Sequence, residues 1–177
     1  MKAKILLVGD SLTEGFKVKE YLPEYAIINR GIYGDNTVGV LERLKKDISD
    51  AKPDAIFFLI GTNDLALERT IDEIAQNIEL MINQSLSFPF VKNIFITSLL
   101  PTRNIENRPN STINELNNLL LKLTSEYSLK YFNLYLSFID EDGMLKSDFT
   151  NDGLHLTHLA YIEWANLLKI EIDSLNE

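Results

Sequence analysis

The sequence predicts an α/β fold: a three-layer α/β/α sandwich around a five-stranded parallel sheet. Three observations carry that prediction. Short apolar runs with little polar alternation recur along the chain, as strands buried on both faces of a parallel sheet do. Between them lie segments whose apolar residues step by three and four, the spacing of one helical face. Strands that alternate with helices imply right-handed βαβ crossovers and helices on both sides of the sheet.

The elements follow in order. Lys4 to Val8 is the first strand, followed by Gly9-Asp10-Ser11-Leu12 and a short helix near Thr13. Ala26 to Asn29 is the second, and Val38, Leu41, Leu44 and Ile48 then mark a helical stripe. The third strand is Ala55 to Ile60, followed by a helix with Ile71, Ile74, Ile78, Met81 and Ile82 on its apolar face. Asn93 to Thr97 precedes a stripe of Ile113, Leu116, Leu120, Leu123 and Tyr127; Lys130 to Asn133 is the fifth strand. A last helix follows Thr157, with Leu159, Ile162, Ala165, Leu168 and Ile172 along one side. Thr70 with Glu73, and Thr112 with Glu115, have the spacing of capping boxes, in which hydroxyl and carboxylate satisfy backbone donors at a helix start.

A chain of 177 residues, 45% hydrophobic, suits one domain over 1–177 that buries ~70% of its unfolded surface. The formal charge of −9 disfavours a broad basic face for nucleic acid or anionic lipid. Without cysteine there are no disulfides, no Cys-ligated zinc, no iron–sulfur cluster and no thiol nucleophile. The two histidines, His155 and His158, make a multi-histidine metal centre hard to build, and any imidazole base must be one of them. No apolar stretch approaches the ~20 residues of a membrane helix. Integral membrane association is therefore not expected, and a cytoplasmic location is the expectation unless an export signal has been removed.

In open parallel sheets, ligands sit beyond the carboxyl ends of the strands. Each such end here carries polar residues with two local readings. Asp10 and Ser11 either cap the helix near Thr13 or present a hydroxyl at the sheet edge. Gly31 and Gly34 either only make a turn or let the backbone approach a ligand. Asn63, in Gly61-Thr62-Asn63-Asp64, either ties its own loop or donates to a developing oxyanion. Asp152-Gly153-Leu154-His155 places a carboxylate three residues before an imidazole, where it either stays solvated or orients the ring as a base. His158 reads as a first-turn helix residue, exposed or packing. Taken jointly, a nucleophile, amide donors and an oriented base on one sheet edge make an acyl-transfer site.

These four blocks, matched in order from residue 4 to about 165, resemble the SGNH (GDSL) hydrolases. The resemblance implies that Ser11 is the nucleophile, His155 the general base and Asp152 its orienting acid. It implies an oxyanion hole of the Ser11 and Gly34 N–H groups and the Asn63 side chain. Leu99-Leu100-Pro101 and Asp152-Gly153-Leu154-His155-Leu156 are most similar to small bacterial acylhydrolases of the platelet-activating factor acetylhydrolase type. The implied activity is a serine esterase acting on short-chain, foremost acetyl, esters of small molecules through an acyl-serine intermediate. Neither cofactor nor metal is implied. Relatives of this type often pair as homodimers, a state this sequence leaves open.

Asn36-Thr37 and Tyr33 depart from the family pattern, and Tyr33 is expected to narrow the acyl side of the pocket. Asp10, Tyr33, Leu100 and Arg103 are the expected substrate contacts. The irregular stretch from Leu99 to Pro109, with Arg103, Asn104 and Arg108, could meet the alcohol portion, although its arginines also read as plain surface charges. A free imidazole titrates near ~6.5, so the rate is expected to rise with pH through that region. Other readings are a lysophospholipase or thioesterase of the same family, a metal-dependent phosphoesterase using Asp10, Asn63, Asp64, Asp152 and His155, and a non-catalytic flavodoxin-like binding module.

Overall fold

The computed structural model describes residues 2–175. Five strands, β1 (Lys4–Gly9), β2 (Ala26–Gly31), β3 (Ala55–Leu59), β4 (Asn93–Thr97) and β5 (Lys130–Phe132), form one parallel sheet in the order β2-β1-β3-β4-β5. Ile5 of β1 lies opposite Ile27 of β2 on one side and Ala55 of β3 on the other. The helices are α1 (Ser11–Glu14), α2 (Val18–Tyr21), α3 (Thr37–Ala51), α4 (Thr62–Ala66), α5 (Ile71–Leu86), α6 (Asn110–Glu126), α7 (Tyr135–Phe138) and α8 (His158–Asp173).

Alternate strand residues point to opposite faces of a sheet, and the core divides accordingly. Leu6, Val8, Ile56, Phe58, Ile94 and Ile96 pack with the stripes of α3, α5 and α6. Ile5, Leu7, Phe57, Leu59 and Phe95 pack with Leu12 of α1, Phe16, and Trp164, Leu168 and Ile172 of α8. Burying each such side chain contributes roughly 1.5–3 kcal/mol relative to exposure, which is why helices form on both faces. The expected three-layer sandwich is therefore observed.

Four local expectations change. Burial on both faces holds for the central strands but not for β2, whose Ala26 is exposed and whose other residues are only partly covered, because β2 is an edge strand. In α3 the buried line is Thr37, Val40, Leu44, Ile48 and Ala51, which leaves Val38 exposed. Asn36 caps this helix through the N–H groups of Val38 and Gly39, and Thr37 is held inward by Asp64, so Val38 falls about 100° off the buried face. In α8 the aromatic residues decide the facing: Tyr161 and Trp164 pack on Phe16, and Leu159 and Ile162 are turned outward.

The capping box at Thr70 and Glu73 forms, whereas that at Thr112 and Glu115 does not. α6 starts earlier, with Pro109 in the cap position and no side-chain cap. The Asn110 carboxamide is occupied with both the N–H and the carbonyl of Thr102. That contact joins the start of α6 to the loop after β4, and it holds the 102–110 segment above the sheet edge.

The strand order places the carboxyl ends of β1 and β3 side by side. The chain then leaves β1 toward the α8 face through α1, and leaves β3 toward the opposite face through α4 and α5. Such a reversal opens a crevice beyond the strand ends.

Candidate active site

The loop after β1 is tight. A Cβ on Gly9 would lie 2.1 Å from the Thr13 hydroxyl and 2.4 Å from the Leu59 carbonyl oxygen, so only glycine lets the chain pass between α1 and β3. Asp10 is the N-cap of α1, and its carboxylate accepts the Leu12 N–H at 2.9 Å. Its side chain is enclosed, with the residue 1% exposed. Burial pushes this carboxyl up to about 7, with the Leu12 hydrogen bond pulling down, Asp35 pushing up, and His155 and Arg108 pulling down. Those charges show which parts of the chain gather around the turn: the loop after β2, the loop before α8 and the segment before α6.

Ser11, the first residue of α1, meets His155 across the sheet edge, with Oγ 3.2 Å from Nε2. On the far side of the ring, Nδ1 is 2.7 Å from Asp152 Oδ2. Asp152 is itself held, its other oxygen accepting the N–H groups of Leu154 and His155 at 2.9 and 2.7 Å. Partial burial pushes this carboxyl up, but hydrogen bonds from the His155 ring and the two backbone groups outweigh it and bring it down to about 2. A carboxylate on Nδ1 requires the ring proton there, which leaves Nε2 as the acceptor facing the hydroxyl. The arrangement can move a proton from Ser11 to the ring.

The loops after β2 and β3 meet each other. Gly34 has φ +73°, the left-handed region that favours glycine, and it turns the chain from Tyr33 to Asp35. The Asp35 carbonyl then accepts the Asn63 side-chain N–H at 2.8 Å. The Asp35 carboxylate is paired with Arg43, whose guanidinium also donates to the Gly9 carbonyl at 3.2 Å, tying this turn to the end of β1. Asn63 Oδ1 accepts from Arg108 Nη2 at 3.0 Å, and Arg108 Nε donates to the Thr62 carbonyl at 3.0 Å.

The remaining sequence candidates fall elsewhere or take other roles. Tyr33 is 73% exposed, and its ring lies nearly parallel to that of His155 with centroids 6.4 Å apart. Leu100, expected to touch substrate, is 4% exposed and packs in the core on the α8 side. Arg103 is occupied by the Asp140 carboxylate and the Leu145 carbonyl. Asp10, likewise expected at substrate, is the buried cap described above. Asp64, a ligand in the metal reading, is fully buried and held by Thr37 and Arg69. Among the described residues no group of His, Asp and Glu is arranged to hold a metal ion. His158 lies at the start of α8, within reach of Tyr21 and Glu20. Arg108 is the site residue that sequence reasoning left undecided; its only local signal is the place before Pro109.

A profile of the GDSL-like lipase/acylhydrolase family matches residues 7–161. Among solved structures, a Streptococcus pneumoniae protein provisionally described as a platelet activating factor is 31% identical, covering 97% of this chain and 85% of its own, with a TM-score of 0.89. The lipase/acylhydrolase of Enterococcus faecalis is 27% identical over 97% of this chain and 96% of its own, at 0.82. Axe2, an acetylxylan esterase of Geobacillus stearothermophilus, shares the fold at 19% identity, 97% and 96% coverage, and 0.78. No curated protein matches the chain. No helix among the described residues is long and apolar enough to cross a membrane.

Proposed function

The chain belongs to the GDSL-like lipase/acylhydrolase family and is an ester hydrolase, and we propose that it cleaves short-chain esters, acetyl esters foremost, through an acyl-serine intermediate. The observation that carries this reading is the alignment of Ser11 Oγ, His155 and Asp152, 3.2 Å and 2.7 Å apart in sequence of contact.

The steps follow from those contacts. Ser11 Oγ attacks the ester carbonyl carbon as its proton passes to His155 Nε2, and the carbonyl electron pair moves onto oxygen. Asp152 holds the ring in the tautomer that can accept this proton, and it stabilises the imidazolium formed. The N–H groups of Ser11 and Gly34 and the Asn63 carboxamide receive the oxyanion. Collapse expels the alkoxide, which takes the proton back from Nε2 and leaves an acyl-serine. Water then repeats the sequence with the same base, releasing the acid and restoring Ser11.

An open site supports a short acyl group. The His155 and Asp152 side chains are 43% and 54% exposed. A cavity of about 480 Å³ runs along β2, lined by Phe16, Val18 and Ile27 and not by the Ser11, His155 or Asp152 side chains. Tyr33, whose ring lies nearly parallel to that of His155 with centroids 6.4 Å apart, would narrow the acyl side of the site.

The test is turnover of p-nitrophenyl esters of increasing acyl length by the wild type and Ser11→Ala. Acetate should give the highest kcat/KM, and Ser11→Ala should lose roughly 10⁴-fold or more. A preference for long chains would turn the reading to a lysophospholipase, a preference for thioesters to a thioesterase, and undiminished turnover by Ser11→Ala would remove the serine mechanism.

A further inference from the structure

We propose that Arg108 is a positioning residue of the reaction, its guanidinium clamping and polarising the Asn63 carboxamide so that one amide N–H is held toward the oxygen that gains charge. This rests on the reading of Asn63 as an oxyanion donor, and it adds a residue from a different loop to that role.

The geometry is a relay across three loops. Arg108 Nη2 donates to Asn63 Oδ1 at 3.0 Å, while Nε of the same guanidinium donates to the carbonyl of Thr62 at 3.0 Å. At the other end of the carboxamide, Asn63 Nδ2 donates to the Asp35 carbonyl at 2.8 Å. A donor on one end and an acceptor on the other fix which end of the amide is oxygen, so the group is barred from flipping. An amide nitrogen carries two hydrogens, and Asp35 takes one of them. The second is left for a ligand, in a direction set by the first.

Arg108 does more than hold. A hydrogen bond from a cation to an amide oxygen is shorter and stronger than a neutral one, and it draws electron density toward that oxygen. The nitrogen at the other end becomes a better donor, the cooperative effect of hydrogen bonds in series. A charged oxyanion would respond to that gain more than a neutral carbonyl does, so the benefit falls on the transition state.

The residue type fits the task. Thr62 and Asn63 offer two acceptors one residue apart, and a planar fork can serve both where a lysine ammonium on a flexible stem cannot hold the pair in fixed geometry. The backbone of Arg108 is anchored independently of its side chain. Its N–H donates to the Ile105 carbonyl at 3.1 Å, its carbonyl accepts from the Thr102 hydroxyl at 2.7 Å, and Pro109 next in sequence restricts it to extended conformations. Substitution at 108 therefore removes the clamp while leaving the loop tied.

The experiment measures kcat, KM and Tm for the wild type, Arg108→Ala, Arg108→Lys, Asn63→Ala and the Asn63→Ala, Arg108→Ala double variant, on the best ester substrate. Arg108→Ala should lower kcat about tenfold with KM within about twofold, the size of coupling usual between residues in one hydrogen-bonded network. Arg108→Lys should recover only part of the loss, and added guanidinium ion should partly restore Arg108→Ala. In the Asn63→Ala background, Arg108→Ala should cost less than about twofold, because the group it acts through is gone. Equal losses in both backgrounds, or no loss in the wild-type background, would overturn the proposal while a slow Asn63→Ala enzyme left the oxyanion reading standing. An Asn63→Ala enzyme with undiminished kcat would sink that reading, and the clamp with it. Should Arg108→Ala lack a folding transition, Arg108→Lys carries the same comparison in both backgrounds.

Discussion

Two carboxyl groups flank the Ser11 turn, and their surroundings treat them in opposite ways. Asp152 is about half exposed, yet three hydrogen bonds, from the His155 ring and from two backbone N–H groups, bring it down to about 2. Asp10 is enclosed, accepts one backbone N–H, and burial drives it up to about 7. The contrast extends to the regions they belong to. The base side is local: the 150–155 loop supplies Asp152, His155 and the N–H groups that hold them. The proposed donor side would exist only when the sheet is assembled, since Gly34 follows β2, Asn63 follows β3, and Arg108 precedes α6. Changes on the base side should therefore alter chemistry with little effect on stability. Beneath the Ser11 turn, where Asp10 is buried, changes should register in stability.

The largest expected effect lies on the base side. Asp152→Asn retains an oxygen for the Leu154 and His155 N–H groups but offers Nδ1 of the ring no carboxylate. It should lower kcat by roughly 10³- to 10⁴-fold with Tm nearly unchanged, measured by steady-state hydrolysis and thermal melting. A mild loss would mean that the ring is oriented by something other than this carboxylate.

On the donor side the effect is smaller. Asn63→Ala should lower kcat by about 10²- to 10³-fold, with KM changed much less, in the same assay. A loss carried mainly by KM would place Asn63 in ground-state binding instead.

The smallest effect concerns Asp10 and appears in stability. Its carboxyl is raised from the usual 3.8 to about 7 in the folded protein, so between those values the folded chain holds a proton that the unfolded chain has released. Stability should therefore fall as pH rises through that window. Asp10→Asn keeps an oxygen for Leu12 N–H and removes the titration. The Tm of the variant minus that of the wild type should become more positive from about pH 5 to about pH 8. A difference that stays constant with pH would show that burial of Asp10 carries no such penalty.

The same contrast explains what the sequence revealed. The central strands were legible because buried parallel strands leave uninterrupted apolar runs, the edge strands β2 and β5 through shorter runs between helical stripes, and Asp152 and His155 because three residues of spacing suffice to join them. The first-turn cap at Asp10 was legible as one of two local readings. Helix phase was harder: α8 has apolar residues at Leu159 and Ile162 as well as on its buried face, and only the packing of Tyr161 and Trp164 on Phe16 decides which side turns inward. Thr112 with Glu115 has the spacing of a cap, but the helix start is set by Asn110 reaching back to Thr102, a contact outside that short pattern. Arg108 and Arg103 look alike as basic residues of one irregular loop. Their fates part through partners 37 to 46 residues away, Asp140 and Leu145 for one, Thr62 and Asn63 for the other. No local pattern encodes such a choice.

The most direct measurement of the central claim is the intact mass of the protein after exposure to a fluorophosphonate, followed by peptide mapping. A serine activated by His155 and Asp152 should take up one phosphonyl group on Ser11, slowly in Asp152→Asn and not at all in Ser11→Ala. Ester turnover by a wild-type protein that stays unlabelled, or a label mapped to another residue, would contradict it.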